Sequence, residues 1–144
     1  MNKEDCIFCK IANGKMSTRT LYEDDLIRVI LEIAPTSLGH SLILLKEHKE
    51  NFYELSEEEA QRVILVAKKM ANHLRASLCC DGLNLLQNNG VEAGQTIHHF
   101  HMHLIPRYHG APEVISRIVG SATDSELDAL HEKLTKETHS ERKE

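Results

Sequence analysis

The stretch Ile97-His98-His99-Phe100-His101-Met102-His103-Leu104-Ile105 decides how this chain is read. Imidazoles at 99, 101 and 103 alternate with apolar side chains at 100, 102 and 104. Successive strand residues point to opposite faces, so this period predicts a strand from Ile97 to Ile105 with three imidazoles on one face and a core-facing set on the other. Neutral imidazole is both a nucleophile and a metal ligand, and its protonation changes near neutral pH. Such a row, preceded by Gly94-Gln95-Thr96 and followed by Pro106-Arg107, is read as a functional site rather than as surface polarity alone. By the same alternation His98 is expected on the apolar side, buried and hydrogen-bonded.

Working outward, Thr18 to Glu23 and Ile27 to Ile33 predict two strands joined at Asp24-Asp25, because Leu21, Ile27, Val29, Leu31 and Ile33 fall at period two. The run Leu42-Ile43-Leu44-Leu45 predicts a third strand over His40 to Leu45. Ser56 followed by Glu59 is a capping-box signature, and Ala60, Val63, Ile64, Ala67, Met70, Ala71, Leu74 and Leu78 recur at helical steps. This long helix is expected to close near Asp81-Gly82 through glycine's left-handed conformation. Leu83 to Gln87 predicts a strand before the polar loop Asn88 to Gly94. Thr123 with Glu126, ahead of Leu127, Leu130 and Leu134, predicts a shorter C-terminal helix, and the charged tail 140–144 is expected to fray. The fold class is therefore α+β, a five-stranded and mostly antiparallel sheet with one long and one shorter helix.

A chain of 144 residues with 41% apolar and 27% charged content suits a single soluble domain, its core over residues 5–108 and an extension over 109–144. Net charge −5 and a pI of 6.0 argue against a nucleic-acid surface, so any nucleotide bound is expected to be small. No apolar run approaches the roughly 18 residues a membrane span needs, and no signal-peptide region follows the start, which points to the cytoplasm or a nucleus open to small proteins. Neither GxGxxG nor GxxxxGK[ST] occurs, so phosphate must be held by another device. Reduced thiols are expected for the four cysteines. Cys6 and Cys9 form a CxxC pair, which reads as a redox motif, as half a zinc site or as chance spacing.

The segment from Gly94 to Ile105 resembles the histidine-triad signature, His-φ-His-φ-His-φ-φ with φ apolar. Pro35, Gly39-His40, Lys46 and His48 resemble that family's upstream strand, and Cys6-Ile7-Phe8-Cys9 the entry segment of its Hint-like members. The resemblance implies a nucleotide hydrolase or transferase acting through a covalent nucleotidyl-imidazole. His101 would attack the α-phosphorus of a nucleoside phosphoramidate while the main-chain carbonyl of His99 fixes its tautomer. His103, Gln95 and Thr96 would supply donors to the phosphoryl oxygens, and His40 would stand as an extra histidine beside the triad. Phe8, Leu31, Ile33 and Asn88 would enclose base and ribose, with core packing the plainer expectation for Phe8, Leu31 and Ile33. Glu32 stands where Hint-like members carry aspartate for the ribose hydroxyls. His48 and His99 would join Cys6 and Cys9 in a structural zinc site, thiolate and imidazole being donors that suit tetrahedral zinc. A homodimer through the long helix and an edge strand is also implied, consistent with Val63-Ile64-Leu65-Val66 being apolar almost all round one turn. Gln95-Thr96 and Pro106-Arg107 look closer to the Fhit-like dinucleoside polyphosphate hydrolases, where Arg107 would meet a distal phosphate. A nucleotide-binding adaptor is the remaining alternative.

Overall fold

Strands β1 (Thr20–Glu23), β2 (Ile27–Leu31), β3 (Ser41–Leu45), β4 (Gly82–Leu86) and β5 (His101–Arg107) form one five-stranded antiparallel sheet in the order β1-β2-β3-β5-β4. The structure, a computed structural model, describes residues 3–111 and 120–141; the tail beyond 141 lies outside the described residues. The chain divides into two compact units, Met1–Pro112 with the sheet and Glu113–Glu144 with helix α3 (Asp124–Glu141).

β3 is the middle strand, and all five of its residues are buried. Both its faces are covered, which is why its sequence is a continuous apolar run instead of an alternation. Helix α2 (Glu57–Leu78) covers one face: Val63, Val66, Ala67, Met70 and Leu74 pack on Ile43, Leu45, Phe100, Met102 and Leu104. The short helix α1 (Ile7–Ala12) packs its Phe8, Ile11 and Ala12 on the other, against Ile30, Leu42 and Leu44. In register, Leu42 faces His103 and Leu44 faces His101, so the imidazole row of β5 lies on the α1 side of the sheet. The apolar half of the alternation faces α2, as its period requires.

The capping box at Ser56 and Glu59 forms in both directions, and Thr123 with Glu126 makes the same reciprocal pair ahead of α3. The hairpin between β1 and β2 turns on Asp24, whose carboxylate accepts from the Leu26 and Ile27 N–H groups at 2.8 and 2.9 Å. Three expectations need correction. Helix α2 closes on Cys79 at φ 50°, four residues after the Arg75 carbonyl that its N–H meets, and Gly82 already belongs to β4. The histidine strand begins at His101, not Ile97, because residues 97–100 turn away to pair with the segment after β3: Phe100 N–H donates to the Lys49 carbonyl at 2.7 Å. His98 consequently escapes the alternation. It is half exposed, with Nδ1 3.4 Å from a Glu50 carboxylate oxygen. Among the described residues no helix is long and apolar enough to cross a membrane.

Candidate active site and metal centre

His99 stands at the join between two sites. Its Nε2–H donates to the Leu45 carbonyl at 2.8 Å, which leaves Nδ1 as the bare nitrogen, and Nδ1 faces Cys6 Sγ at 3.5 Å, Cys9 Sγ at 3.4 Å and His48 Nδ1 at 3.3 Å. Cys9 Sγ lies 3.3 Å from His48 Nδ1, and the four donor atoms all fall within 4.8 Å of one another. Donors about 2.0–2.3 Å from a tetrahedral zinc stand about 3.3–3.8 Å apart, so two sulfurs and two imidazole nitrogens at these spacings fit such an ion. Cys6, Cys9, His48 and His99 could therefore hold a metal, closed on four protein donors with no position left for water. Burial holds the His99 ring down to about 4 and lowers that of His48, so both offer neutral donors.

The other end of His99 fixes the His101 ring. His101 Nδ1–H donates to the His99 carbonyl at 2.7 Å, so the lone pair of His101 sits on Nε2. A second relay runs alongside. The Thr36 N–H can only donate, so at 3.0 Å it defines His40 Nδ1 as an acceptor and puts the His40 proton on Nε2. That Nε2–H meets His103 Nδ1 at 2.9 Å, which leaves the proton of neutral His103 on its own Nε2. The adjacent rings, with centroids 5.1 Å apart, thus present a bare nitrogen and an N–H donor respectively. Desolvation is the main cause that lowers His101 and holds His103 down to about 4, the latter helped by the neighbouring His101 and His40. Burial likewise lowers His40. Gly39 at φ 91° places His40: a Cβ there would collide with Leu78 and press on Pro106.

Beside this pair lies a cleft of about 320 Å³, near the lower end of ligand-pocket sizes, lined by Phe8, Ile11, Leu31, Glu32, Ile33 and Leu42 among others. Phe8 sets its ring edge-on to His101 at 4.9 Å, and Leu42 pairs with His103, so cleft and imidazoles are contiguous. Phe8 belongs to both core and cleft wall. Ile33, 87% exposed, is no core residue and sits at the rim. Glu32 accepts from the Ala34 N–H at 3.2 Å, and its charge acts on His40, His101 and His103.

Thr96 is exposed and lines the cleft that Cys6 and His48 share. Gln95 departs from its expected role: its amide donates to the Glu50 and Ile97 carbonyls at 2.7 and 3.1 Å and its oxygen accepts from Gly90 N–H at 2.8 Å. Both amide hydrogens are engaged, so Gln95 braces the loop that aims His99 and has none left for a phosphoryl oxygen. Asn88 lies beside Gly94 on the same loop and does not line the cleft. Arg107 is drawn into the sheet, its Nε–H donating to Asn84 Oδ1 at 2.7 Å. The His40 relay and the Gln95 brace are contacts that the local pattern did not disclose.

Residues 13–110 match the model of the HIT domain. Over 125 residues the chain is 40% identical to an HIT-like protein of Methanocaldococcus jannaschii, covering 87% of this chain and 95% of that one. It is 40% identical over 102 residues to adenosine 5'-monophosphoramidase hnt1 of Schizosaccharomyces pombe, covering 71% of this chain and 74% of the relative. Among solved structures, an HIT family protein of Bacillus anthracis superposes with TM-score 0.84 at 36% identity, over 93% of this chain and 97% of that one. A Zn-bound histidine triad protein of Mycobacterium smegmatis gives TM-score 0.72 at 32% identity, over 81% and 84% of the two chains. With the imidazole row, the sheet and these likenesses in agreement, the chain belongs to the histidine triad family.

Proposed function

We propose that the chain hydrolyses nucleoside phosphoramidates, with His101 Nε2 attacking the α-phosphorus and forming a nucleotidyl-histidine that water then cleaves. One observation carries this reading: the complementary tautomers of His101 and His103, a bare nitrogen beside an N–H donor, next to Phe8 and Leu42 of a cleft of about 320 Å³. Attack needs an unprotonated nitrogen held towards phosphorus, and the His99 carbonyl supplies that restraint. His103 Nε2–H and the Thr96 hydroxyl are the donors assigned to the developing phosphoryl charge. Phe8, Leu31 and Ile33 would enclose the base, and Glu32 would take the ribose hydroxyls. The monophosphoramidase activity named for the Schizosaccharomyces pombe relative supports this substrate class. The centre at Cys6, Cys9, His48 and His99 is assigned to structural zinc, supported by the donor spacing and by the Zn-bound neighbour. When bound, zinc would pin the entry segment to His99 and so steady the carbonyl that orients His101.

Ile64 and Leu65, both more than half exposed on α2, and the half-exposed Leu85 on edge strand β4 support pairing of two copies through that helix and edge. Light scattering across concentrations is expected to give twice the 16.3 kDa chain mass, and an invariant single-chain mass would contradict it. A dinucleoside polyphosphate reading needs Arg107 for a distal phosphate, and Asn84 holds that guanidinium in the sheet. Turnover of an adenosine phosphoramidate against diadenosine polyphosphates tests the choice. Higher kcat/KM for the phosphoramidate is expected, and the reverse order would overturn the proposal.

A further inference from the structure

We infer that Cys6 is an oxidation site and Cys9 its resolving thiol, so that the CxxC pair closes into a disulfide and in doing so dismantles the metal centre. Only the second clause rests on the zinc reading; the disulfide itself does not. The two thiols differ sharply in access. Cys6 is partly exposed and lines an open cleft with Lys3, His48, Thr96 and Ile97, whereas Cys9 is buried at 2% exposure. Cys6 caps α1, and its Sγ accepts from the Cys9 N–H at 3.4 Å, so both sulfurs share one side of the first turn within 4.8 Å. With Cys6 at the extended N-cap and Cys9 three residues on, the sulfurs already lie within 4.8 Å of one another, and side-chain rotation with a shift of the N-cap closes them to the about 2.0 Å of an S–S bond. The pair Cys79-Cys80 has neither arrangement: its members are adjacent in sequence, and Cys79 takes the left-handed cap of α2.

With hydrogen peroxide as oxidant, the Cys6 thiolate attacks one oxygen, the O–O bond breaks, and Cys6 becomes a sulfenic acid as hydroxide leaves. The Cys9 thiolate then attacks the Cys6 sulfur, an S–S bond forms, and a second hydroxide departs. Two protons convert the hydroxides to water; both thiolates are oxidised by one electron each and one peroxide is reduced to two waters. Two of the four donors are thereby lost, and His48 with His99 alone cannot complete a tetrahedral site.

The test treats the full chain, loaded with zinc, with graded peroxide, and follows disulfides by peptide mapping and released zinc with a chromogenic chelator. The expected result is a Cys6–Cys9 disulfide with one zinc released per disulfide, both reversed by dithiothreitol and both retained in a Cys79→Ser, Cys80→Ser variant. In Cys9→Ser, a dimedone adduct on Cys6 is expected in place of the disulfide. Disulfide formation in a chain that binds no zinc would support the oxidation site while counting against the metal centre. Peroxide that consumes Cys79 and Cys80 while Cys6 and Cys9 still alkylate as free thiols would overturn the inference, as would sulfinic acid on Cys6 without any Cys6–Cys9 bond.

Discussion

The two faces of the segment from Phe100 through β5 obey different rules. On the α2 side Phe100 and Leu104 are fully buried and Met102 nearly so, held by contact area alone. On the α1 side each ring is fixed by a directional bond: His101 to a carbonyl, His103 to His40, His40 to a main-chain N–H. The apolar face tolerates any side chain of similar volume, whereas the imidazole face tolerates no change of donor and acceptor. The difference teaches where stability and chemistry reside, and substitutions on the two sides should separate them.

His101→Ala is expected to lower kcat by on the order of 10⁴-fold or more while the chain still folds cooperatively, because the attacking nitrogen is lost together with only one hydrogen bond and one ring contact. A near-native rate would remove His101 from its role and blur the two faces. On the opposite side Phe100→Ala should cost about 3–5 kcal/mol in chemical denaturation, with the residual folded fraction still active. Loss of turnover in the folded fraction would mean that the core face also shapes the site. Removing zinc with a chelator should lower stability by about 3 kcal/mol at saturating metal, and should reduce kcat without changing the substrate order. Unchanged melting with and without chelator would set the four donors apart from any metal.

The relay through His40 and His103 sets a pH test. Both rings lie below the ordinary imidazole value of about 6.5, His103 at about 4, chiefly because burial disfavours charge. Folded His103 therefore stays neutral as pH falls past 6.5 and takes a proton only on approaching 4, while unfolded chains protonate near 6.5. Two consequences have opposite appearance. The kcat/KM profile should remain level through pH 6.5 and break below it, whereas folding stability should already decline from about 6.5 towards 4 as the unfolded state gains protons first. An activity break at 6.5 would show that these rings titrate as free imidazoles. The smallest effect is expected at Glu32, where Glu32→Asp shortens the stem by one methylene. A fall in KM for adenosine substrates of about threefold would follow from a better-placed ribose hydrogen bond, and a rise would place the ribose elsewhere.

Much of this was legible because it is local. The 99, 101, 103 period, the Ser56 and Glu59 box and the CxxC spacing each place side chains within a few positions of one another. What escaped was non-local. Nothing near His98 shows that residues 97–100 abandon the sheet, since the cause is the Lys49 carbonyl reaching Phe100. Gln95 reads as a donor to substrate until Glu50 and Ile97 are seen to occupy both its hydrogens. The His40 relay joins residues 63 positions apart, a distance that no hydrophobic period spans. Cys79 closes α2 in the left-handed conformation although glycine stands three positions later, and Gly82 instead opens β4.

The central claim is that His101 Nε2 becomes bonded to phosphorus. It is tested most directly by mixing the protein with an adenosine phosphoramidate, quenching in alkali during the first turnovers, and mapping the nucleotidylated peptide by mass spectrometry. The expected result is an adenylyl group on His101, absent from the His101→Ala chain. An adenylyl group carried by any other side chain during productive turnover would contradict it.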